Sequence, residues 1–298
     1  MVYVAVAPGS CGEFIQGYAW GHSFMVTCPI DLYSYAEGRQ RTMEEMRQGE
    51  AEKLPEKSEK ARARTMKYLG GENGTVNIRL TTEIPVGKGM ASSSADISAV
   101  CQASAMALGK HLSSEEIGRI AVSIEPSDAV FYRGIVQYDY RKGMLIRRLG
   151  ECPEAKLLVF DCGGSVDTLA FNSRKDLVAL QQANEKEIRR AVDLFAEGIG
   201  RRDLQLIGRA ATISAFANQK ILYKENLAAF WEAGQKAGGH GVVAAHSGTV
   251  LGLLISPDAD DVEIRERMAE ELGDAVSYIR CVRVTSEGMR LYEKAEGK

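Results

Sequence analysis

Residues 84–100 read IPVGKGMASSSADISAV, and they are the most informative stretch of the chain. A turn with glycine at positions 87 and 89 follows the end of a predicted strand and leads through three serines into a helix of small residues. Unpaired backbone N–H groups at a helix start, with hydroxyls beside them, favour anion binding. Glycine lets the backbone approach a phosphate, and a serine can complete a magnesium shell that the phosphates share. The stretch therefore predicts a site for a phosphate chain.

Two better-known phosphate motifs fit this stretch less well. A Walker A loop needs G-x-x-x-x-G-K-[ST], and here Lys88 does not directly precede a hydroxyl at that spacing. A dinucleotide fingerprint, G-x-G-x-x-G, would need glycine where Ser92 stands. A purely structural alternative is that serines 92–94 cap a buried helix, which is a common use of serine. The residues alone leave this alternative open.

Length and composition narrow the class of protein. The 298 residues are 45% hydrophobic and 26% charged, which suits one large or two medium domains. With 37 basic and 40 acidic residues, the net charge of -3 gives no electrostatic reason to expect a nucleic-acid or membrane-surface partner. No apolar run approaches the roughly 18 to 20 residues of a membrane span, and the N-terminus lacks a signal-peptide pattern. We expect a cytoplasmic protein with a small-molecule substrate; a homodimer stays open.

Cysteines and histidines give no sign of a disulfide framework or a zinc site. The six cysteines include no C-x-x-C pair, and the four histidines show neither H-x-x-x-H nor H-E-x-x-H spacing. We expect reduced thiols, and any metal should be a hard ion that arrives with a ligand.

The first half of the chain contains two further predicted features. Residues 1–17 alternate apolar and small residues, break at Pro8 and Gly9, and resume, which predicts a strand, a tight loop and a second strand. In residues 37–67, 16 of 31 positions are charged and the signs are mixed, which predicts a solvated helical segment or a mobile excursion that serves as a lid or spacer. Residues 75–80 then read as another strand.

A helix boundary is predicted just before residue 126. Ser113 and Glu116 have the spacing of a capping box, so a helix should begin there and continue through Ile124. It should stop at Glu125, because the residue before a proline is pushed out of the helical region. Residues 125–128 are therefore expected to form a loop at a helix end.

The second half of the chain has the element order of a ferredoxin-like α+β domain. We predict a buried strand at 156–160, helices at 177–196, 203–217 and 225–237, strands at 241–245 and 249–255, a helix at 260–272 and a last strand at 276–284. A domain boundary near 150–153 divides the chain into residues 1–152 and 153–298.

Residues 85–95 resemble the phosphate loop of the GHMP kinases (galactokinase, homoserine kinase, mevalonate kinase and phosphomevalonate kinase), whose pattern is P-x-G-x-G-[LM]-[GA]-S-S-[SA]-A. Residues 7–13 (APGSCGE) look like the N-terminal motif of that family, and residues 246–252 (HSGTVLG) resemble its C-terminal glycine-rich motif. The resemblance implies an α+β, two-domain GHMP kinase fold. Its N-terminal βαβ domain would carry the phosphate loop, and its C-terminal domain would be ferredoxin-like.

Within the superfamily, the chain looks most like the L-threonine kinases of propanediol utilisation and cobalamin synthesis, which make L-threonine O-3-phosphate for the cobalamin nucleotide loop. This likeness is carried by residues 8–17 (PGSCGEFIQG), 125–128 (EPSD), 167–172 (DTLAFN) and 245–249 (AHSGT). A homoserine or isoprenoid-alcohol kinase, and a catalytically silent ligand sensor, are the alternatives. Ser93, Glu125 and Asp128 together favour the enzyme, because a sensor needs neither a metal ligand nor a base.

The resemblance also implies a role for each motif residue. ATP would lie on Pro85, Gly87, Lys88, Gly89, Met90, Ala91, Ser92, Ser93 and Ser94, and Mg²⁺ on Ser93 and Glu125. Asp128 would face the acceptor hydroxyl as the catalytic base. The acceptor would lie against Ser10, Cys11, Gly12, Glu13, His246, Ser247, Gly248 and Thr249.

Elementary chemistry constrains these roles. With an ordinary pKa near ~3.9, Asp128 is expected to be ionised at neutral pH. In a loose phosphoryl-transfer transition state, a carboxylate chiefly orients the hydroxyl and accepts its proton late. Most of the acceleration must come from in-line positioning and from neutralisation of charge by magnesium, backbone N–H groups and Lys88. The alternative role of Asp128 is that of a surface turn residue after Pro126.

An amino-acid acceptor needs a partner for each of its charges, because an unpaired buried charge is costly. Glu13 is the candidate for the ammonium group, and Ser10, Thr249 or Arg133 for the carboxylate. His246 can equally be a packed histidine that hydrogen-bonds its own loop. Cys11 is expected to be a small buried residue, because phosphoryl transfer to an alcohol needs no thiolate.

Overall fold

The computed structural model describes residues 1–48, 52–72, 74–164 and 174–294. Its strands are β1 (Val2–Ala19), β2 (His22–Gln40), β3 (Val76–Thr82), β4 (Ile135–Asp139), β5 (Met144–Gly150), β6 (Lys156–Asp161), β7 (Gly241–Ala244), β8 (Val250–Ile255), β9 (Ser277–Arg283) and β10 (Arg290–Lys294). Its α-helices are α1 (Met43–Gln48), α2 (Glu56–Tyr68), α3 (Ser92–Ala107), α4 (Ser114–Ile124), α5 (Leu177–Ala183), α6 (Glu185–Arg201), α7 (Leu204–Ala217), α8 (Leu227–Lys236) and α9 (Asp261–Leu272). The motif at 167–172 lies outside the described residues.

Strands β1 and β2 form a long antiparallel hairpin at the centre of the molecule. The prediction of a tight loop after Pro8 is wrong, because β1 continues through this region and stays paired with β2. Register shifts at Pro8/Gly9, Ser10/Glu13 and Glu13/Ile15 let the strand bend without ending. The turn lies instead at Trp20 and Gly21, whose φ angles of 50° and 82° suit a two-residue hairpin loop.

One sheet runs through both halves of the chain, in the order β5-β4-β2-β1-β7-β8-β6-β9, with β3 also paired to β2 and β10 to β1. Its β7-β8-β6-β9 part is antiparallel and, with the helices between β6 and β7 and between β8 and β9, has the predicted ferredoxin-like topology. The α+β fold class is thereby confirmed. The pairing of Glu13 in β1 with Ala244 in β7 joins the two halves of the chain within this sheet. The sheet therefore does not mark a division at 152/153, and that boundary stays a prediction.

Helix α3 packs against β1 and β2 and fixes the position of the loop before it. Of its residues, only Ser93 and Asp96 are not buried. A Cβ atom added to Gly38 of β2 would lie 2.5 Å from the carbonyl oxygen of Ala103, so the backbones of strand and helix are in contact. The small side chains of α3 therefore serve close packing, and the start of the helix is held firmly against the sheet.

The boundaries predicted around residues 113–126 are confirmed. Ser113 Oγ accepts the N–H of Glu116 at 3.2 Å, and the Glu116 carboxylate accepts the N–H of Ser113 at 2.8 Å. Helix α4 ends at Ile124, and Glu125 is extended with φ -160° and ψ 162°. The chain therefore leaves the helix directly before residues 125–128.

The charged segment 37–67 is only partly solvated. Residues 37–40 complete β2, and α1 has no buried residue. The expectation of a solvated segment is wrong for α2, which packs on α3 and buries Ala61, Thr65 and Met66 among others. Alternating charge masked this buried face in the sequence.

Among the described residues, no helix has the length and apolarity needed to cross a membrane.

Candidate active site

A cavity of about 220 Å³ opens at the start of α3. Its lining comes from five separate parts of the chain: the phosphate loop with the first turn of α3, the loop after α4, β1, α2 and the loop between β7 and β8. The lining residues are Glu13, Lys57, Pro85, Val86, Gly87, Gly89, Met90, Ala91, Ser92, Ser93, Ser94, Glu125, Pro126, Asp128 and Ser247. The sequence-predicted metal ligands, base and phosphate loop thus meet at one place.

The phosphate loop has the backbone of an anion cradle. Gly87, Gly89 and Ala91 have φ angles of 76°, 82° and 56°, and this alternation of left-handed and ordinary residues is the backbone geometry of an anion-binding nest. Ala91 is the N-cap of α3, and its side chain caps no N–H group. The first N–H groups of the helix are therefore available to a bound anion.

Ser93 and Ser94 in the first turn of α3 hydrogen-bond to carboxylates and do not cap the helix. Ser93 Oγ donates to Glu125 Oε1. Ser94 Oγ donates to Asp128 Oδ2 at 3.1 Å and accepts the N–H of Asp128 at 3.0 Å. For Ser93 and Ser94 the purely structural alternative, in which the hydroxyls cap a buried helix, is wrong, because both hydroxyls reach across to the loop after α4.

Asp128 is less acidic than the sequence suggests. Burial is the main cause that raises its pKa, to about 7, and the charges of Glu13 and Glu125 raise it further, against the hydrogen bond from Ser94. The expectation of an ordinary pKa for Asp128 is therefore wrong. A carboxylate that titrates near neutrality is well matched to the task of accepting a proton at physiological pH.

Glu13 and His246 form a buried pair beside Asp128. Glu13 Oε2 accepts the backbone N–H of His246 at 2.9 Å and lies 3.1 Å from His246 Nδ1, while His246 Nε2 lies 3.0 Å from Ser214 Oγ. His246 is only 1% exposed, and Nδ1 faces two acceptors, Glu13 and the carbonyl of Ala244, which assigns the ring proton to Nδ1. His246 is thus the packed histidine of the two sequence alternatives, and it orients Glu13.

Most of the other residues predicted to bind the acceptor do not line this cavity. Ser247 and Glu13 line the cavity, whereas Ser10, Cys11, Gly12, His246, Gly248 and Thr249 are not among its lining residues. Cys11 is fully buried, and burial raises the pKa of its thiol to about 12, so it is a small core residue.

Gly248 brings the C-terminal motif against the phosphate loop. A Cβ atom at this position would lie 2.5 Å from Gly89 Cα and 2.6 Å from the carbonyl oxygen of Lys88. That same carbonyl accepts the N–H groups of Thr249 and Val250 at 3.1 and 3.3 Å. The motif therefore shapes the loop through backbone contact.

Lys88, expected to neutralise charge, and Arg133, considered as a partner of the acceptor carboxylate, are both engaged elsewhere. Lys88 Nζ lies 2.5 Å from Asp161 Oδ2, so its ammonium group ties the phosphate loop to the end of β6. Arg133 pairs with Glu151 at 3.4 Å on an exposed surface and does not line the cavity.

Sequence reasoning missed Lys57. Its Nζ lies 2.5 Å from Glu125 Oε2, so the carboxylate of Glu125 is held by Ser93 on one oxygen and by Lys57 on the other. Lys57 belongs to no motif and lies among 16 charged residues in segment 37–67, so no local signal distinguished it.

The donor set at this point fits magnesium. The Ser93 hydroxyl and the Glu125 carboxylate are hard oxygen ligands in direct contact at the edge of an anion cradle. Magnesium prefers such a site, with one or two protein oxygens and the remaining ligands from phosphates and water.

Both halves of the chain match known family descriptions. Residues 58–134 match the GHMP kinases N terminal domain, and residues 195–274 match the GHMP kinases C terminal family. The L-threonine kinase of Citrobacter freundii is 30% identical over 268 residues, covering 87% of this chain and 88% of the relative. The L-threonine kinase of Salmonella typhimurium is 30% identical over 281 residues, covering 91% and 89%.

Solved structures share the fold. A homoserine kinase from Cytophaga hutchinsonii superposes with a TM-score of 0.67 at 19% identity, covering 98% of this chain and 97% of that chain. MDDEF in complex with MVAPP, AMPPCP and magnesium superposes with a TM-score of 0.71 at 12% identity, covering 99% of each chain.

Proposed function

The chain belongs to the GHMP kinase family, and on this basis we propose that it is an ATP-dependent kinase that converts L-threonine to L-threonine O-3-phosphate for cobalamin nucleotide-loop synthesis. Two relatives at 30% identity are L-threonine kinases and align over about nine-tenths of the chain. They favour threonine as the acceptor.

The observation that carries the proposal is the contact between Ser94 and Asp128. It brings a carboxylate whose pKa lies near 7 to the first turn of the helix that follows the phosphate loop. A nucleotide whose phosphates lie on that loop would present its terminal phosphate close to this carboxylate. An acceptor hydroxyl between the two is then positioned for transfer.

The reaction follows from this arrangement. Ionised Asp128 accepts the proton of the threonine hydroxyl while the hydroxyl oxygen bonds to the terminal phosphorus of ATP. The bond from that phosphorus to the bridging oxygen breaks, and ADP leaves with the electron pair. Asp128 then returns the proton to solvent.

The charges around Asp128 favour an acceptor that carries an ammonium group. Glu13 is 6% exposed and lines the cavity, and its charge raises the pKa of Asp128. An ammonium group beside these two carboxylates is stabilised, whereas mevalonate has a carboxylate and no ammonium group to offset the repulsion. Homoserine also has an ammonium group and is therefore the nearer alternative to threonine.

The nucleotide and metal assignments are part of the same proposal. ATP would lie on residues 85–94, and Ser93 with Glu125 would hold Mg²⁺, which, when bound, supplies positive charge to the phosphate oxygens. The structural neighbour in complex with AMPPCP and magnesium supports this assignment.

An acceptor panel tests the proposal. The protein is incubated with Mg-ATP and, separately, with threonine, serine, homoserine and mevalonate, and both ADP and the phosphorylated product are measured. We expect ADP release and O-phosphothreonine with threonine in excess over every other acceptor. ATP binding without ADP release for any acceptor would favour the ligand sensor, and a clear preference for homoserine would replace the substrate while keeping the kinase.

A further inference from the structure

Lys57 contributes a positive charge at the mouth of the cavity. Among the residues that line the cavity within the described ranges, it is the one with a basic side chain. The Lys57 side chain is 42% exposed, whereas that of its partner Glu125 is 7% exposed. The ammonium group therefore lies toward solvent, above a carboxylate that is largely enclosed.

The balance of charge in the cavity requires such a cation. Glu13, Glu125 and Asp128 line it together, and a bound triphosphate adds several negative charges. Lys88 is already paired with Asp161. Polyphosphate binding in so acidic a cavity needs positive charge beyond the backbone N–H groups of the loop.

We propose that Lys57 is a phosphate-binding residue of this kinase site, which pairs with Glu125 when no nucleotide is bound and turns to the terminal phosphate when nucleotide and metal bind. The inference rests on the proposed function. Glu125 has two oxygens, of which Ser93 holds one and Lys57 the other, so metal ligation by Glu125 competes with the ion pair. Lys57 can leave at little cost, because a half-exposed ion pair is weak and a lysine stem is long and flexible.

Anchoring of helix α2 does not explain the Lys57–Glu125 pair. Helix α2 is already held by buried Ala61, Thr65 and Met66 and by a 3.0 Å hydrogen bond from Arg62 to the carbonyl of Val76. Removal of the Lys57 charge should therefore leave the fold intact and change only the site.

The test compares Lys57→Met with Lys60→Met. Lys60 lies one turn further along the same helix, pairs with Glu56 at 2.6 Å and does not line the cavity. Lys60→Met is therefore the matched control, because it removes the same charge outside the cavity. Calorimetry measures the affinity for Mg-ATP, for Mg-ADP and for Mg²⁺ alone. For Lys57→Met we expect about tenfold weaker Mg-ATP binding, a smaller loss for Mg-ADP, and tighter Mg²⁺ binding because the competing ammonium is gone. Lys57→Arg should retain most of the affinity for Mg-ATP.

The outcomes are separable. Equal affinities of Lys57→Met and Lys60→Met for Mg-ATP would overturn the inference. A loss of both Mg-ATP and Mg²⁺ binding in Lys57→Met would also overturn it, because Lys57 would then only support Glu125. Thermal melting checks whether each variant is folded. If Lys57→Met is unfolded, Lys57→Gln is compared with Lys60→Gln in the same way. Wild-type protein that fails to bind Mg-ATP would instead refute the proposed function.

Discussion

Ser94 and Asp128 bind each other reciprocally: the Ser94 hydroxyl donates to the Asp128 carboxylate at 3.1 Å and accepts the Asp128 backbone N–H at 3.0 Å. Two hydrogen bonds fix both the backbone and the side chain of Asp128 relative to the first turn of α3. Movement of the loop after α4 relative to the start of α3 would therefore break both hydrogen bonds.

Asp128→Asn should abolish most of the activity while leaving the nucleotide site intact. The amide keeps the size of the side chain but cannot accept the hydroxyl proton. We expect turnover to fall by ~10²-fold or more, with Mg-ATP affinity nearly unchanged. Steady-state kinetics and calorimetry measure the two quantities, and unchanged turnover would remove Asp128 from the mechanism.

Activity should depend on pH through Asp128. Because burial and then Glu13 raise its pKa to about 7, the ionised form that accepts a proton grows as pH rises through neutrality. We expect kcat/KM to increase between about pH 6 and pH 8 and then level off. A profile that is flat across this range would contradict the raised pKa or the role as base.

Glu13→Gln should change both acceptor binding and this pH profile. Loss of the carboxylate removes the proposed partner of the ammonium group, so KM for threonine should rise at least about tenfold. It also removes a charge that raises the pKa of Asp128, so the acidic limb should move to lower pH. Glu197→Gln, which alters an exposed ion pair with Arg201 on α6, is the matched control and should do neither.

Asp128→Asn should stabilise the free protein at alkaline pH. The folded-state pKa is raised above the unfolded value, so ionisation of Asp128 destabilises the fold as pH rises from about 4 to about 7. The variant should therefore melt a few degrees higher than wild type at pH 8 and at nearly the same temperature at pH 4. A lower melting temperature at pH 8 would count against burial of the charged form.

Gly248→Ala should disrupt the phosphate loop from a distance in sequence. The added Cβ atom would lie 2.5 Å from Gly89 Cα, so the backbone of the phosphate loop would have to shift. We expect a loss of about 1–3 kcal/mol in the free energy of unfolding and weaker Mg-ATP binding. Gly200→Ala on α6, where a Cβ atom meets nothing within 4 Å, is the control and should be neutral or slightly stabilising. Denaturant unfolding of both variants decides the comparison.

Where the sequence was misleading, the reason is specific. Register shifts allow β1 to continue past Pro8 and Gly9, and these shifts depend on pairing with β2. The buried face of α2 was hidden because Arg62 and Ser58, which look like surface residues, lie against other elements. Strands β4, β5 and β10 were not predicted, because these short segments become strands only through pairing with their neighbours in the sheet.

Features that arise from neighbouring residues could be predicted from the sequence alone. They are the glycine turn before α3, the capping box of α4, the end of that helix before Pro126 and the order of elements in the second half. The partners of the charges, in contrast, depend on the three-dimensional fold. Lys57 meets Glu125 across 68 positions, and His246 meets Glu13 across 233. A local pattern records backbone propensity, whereas the pairing and the pKa of a buried charge depend on groups that the fold brings together from distant parts of the chain.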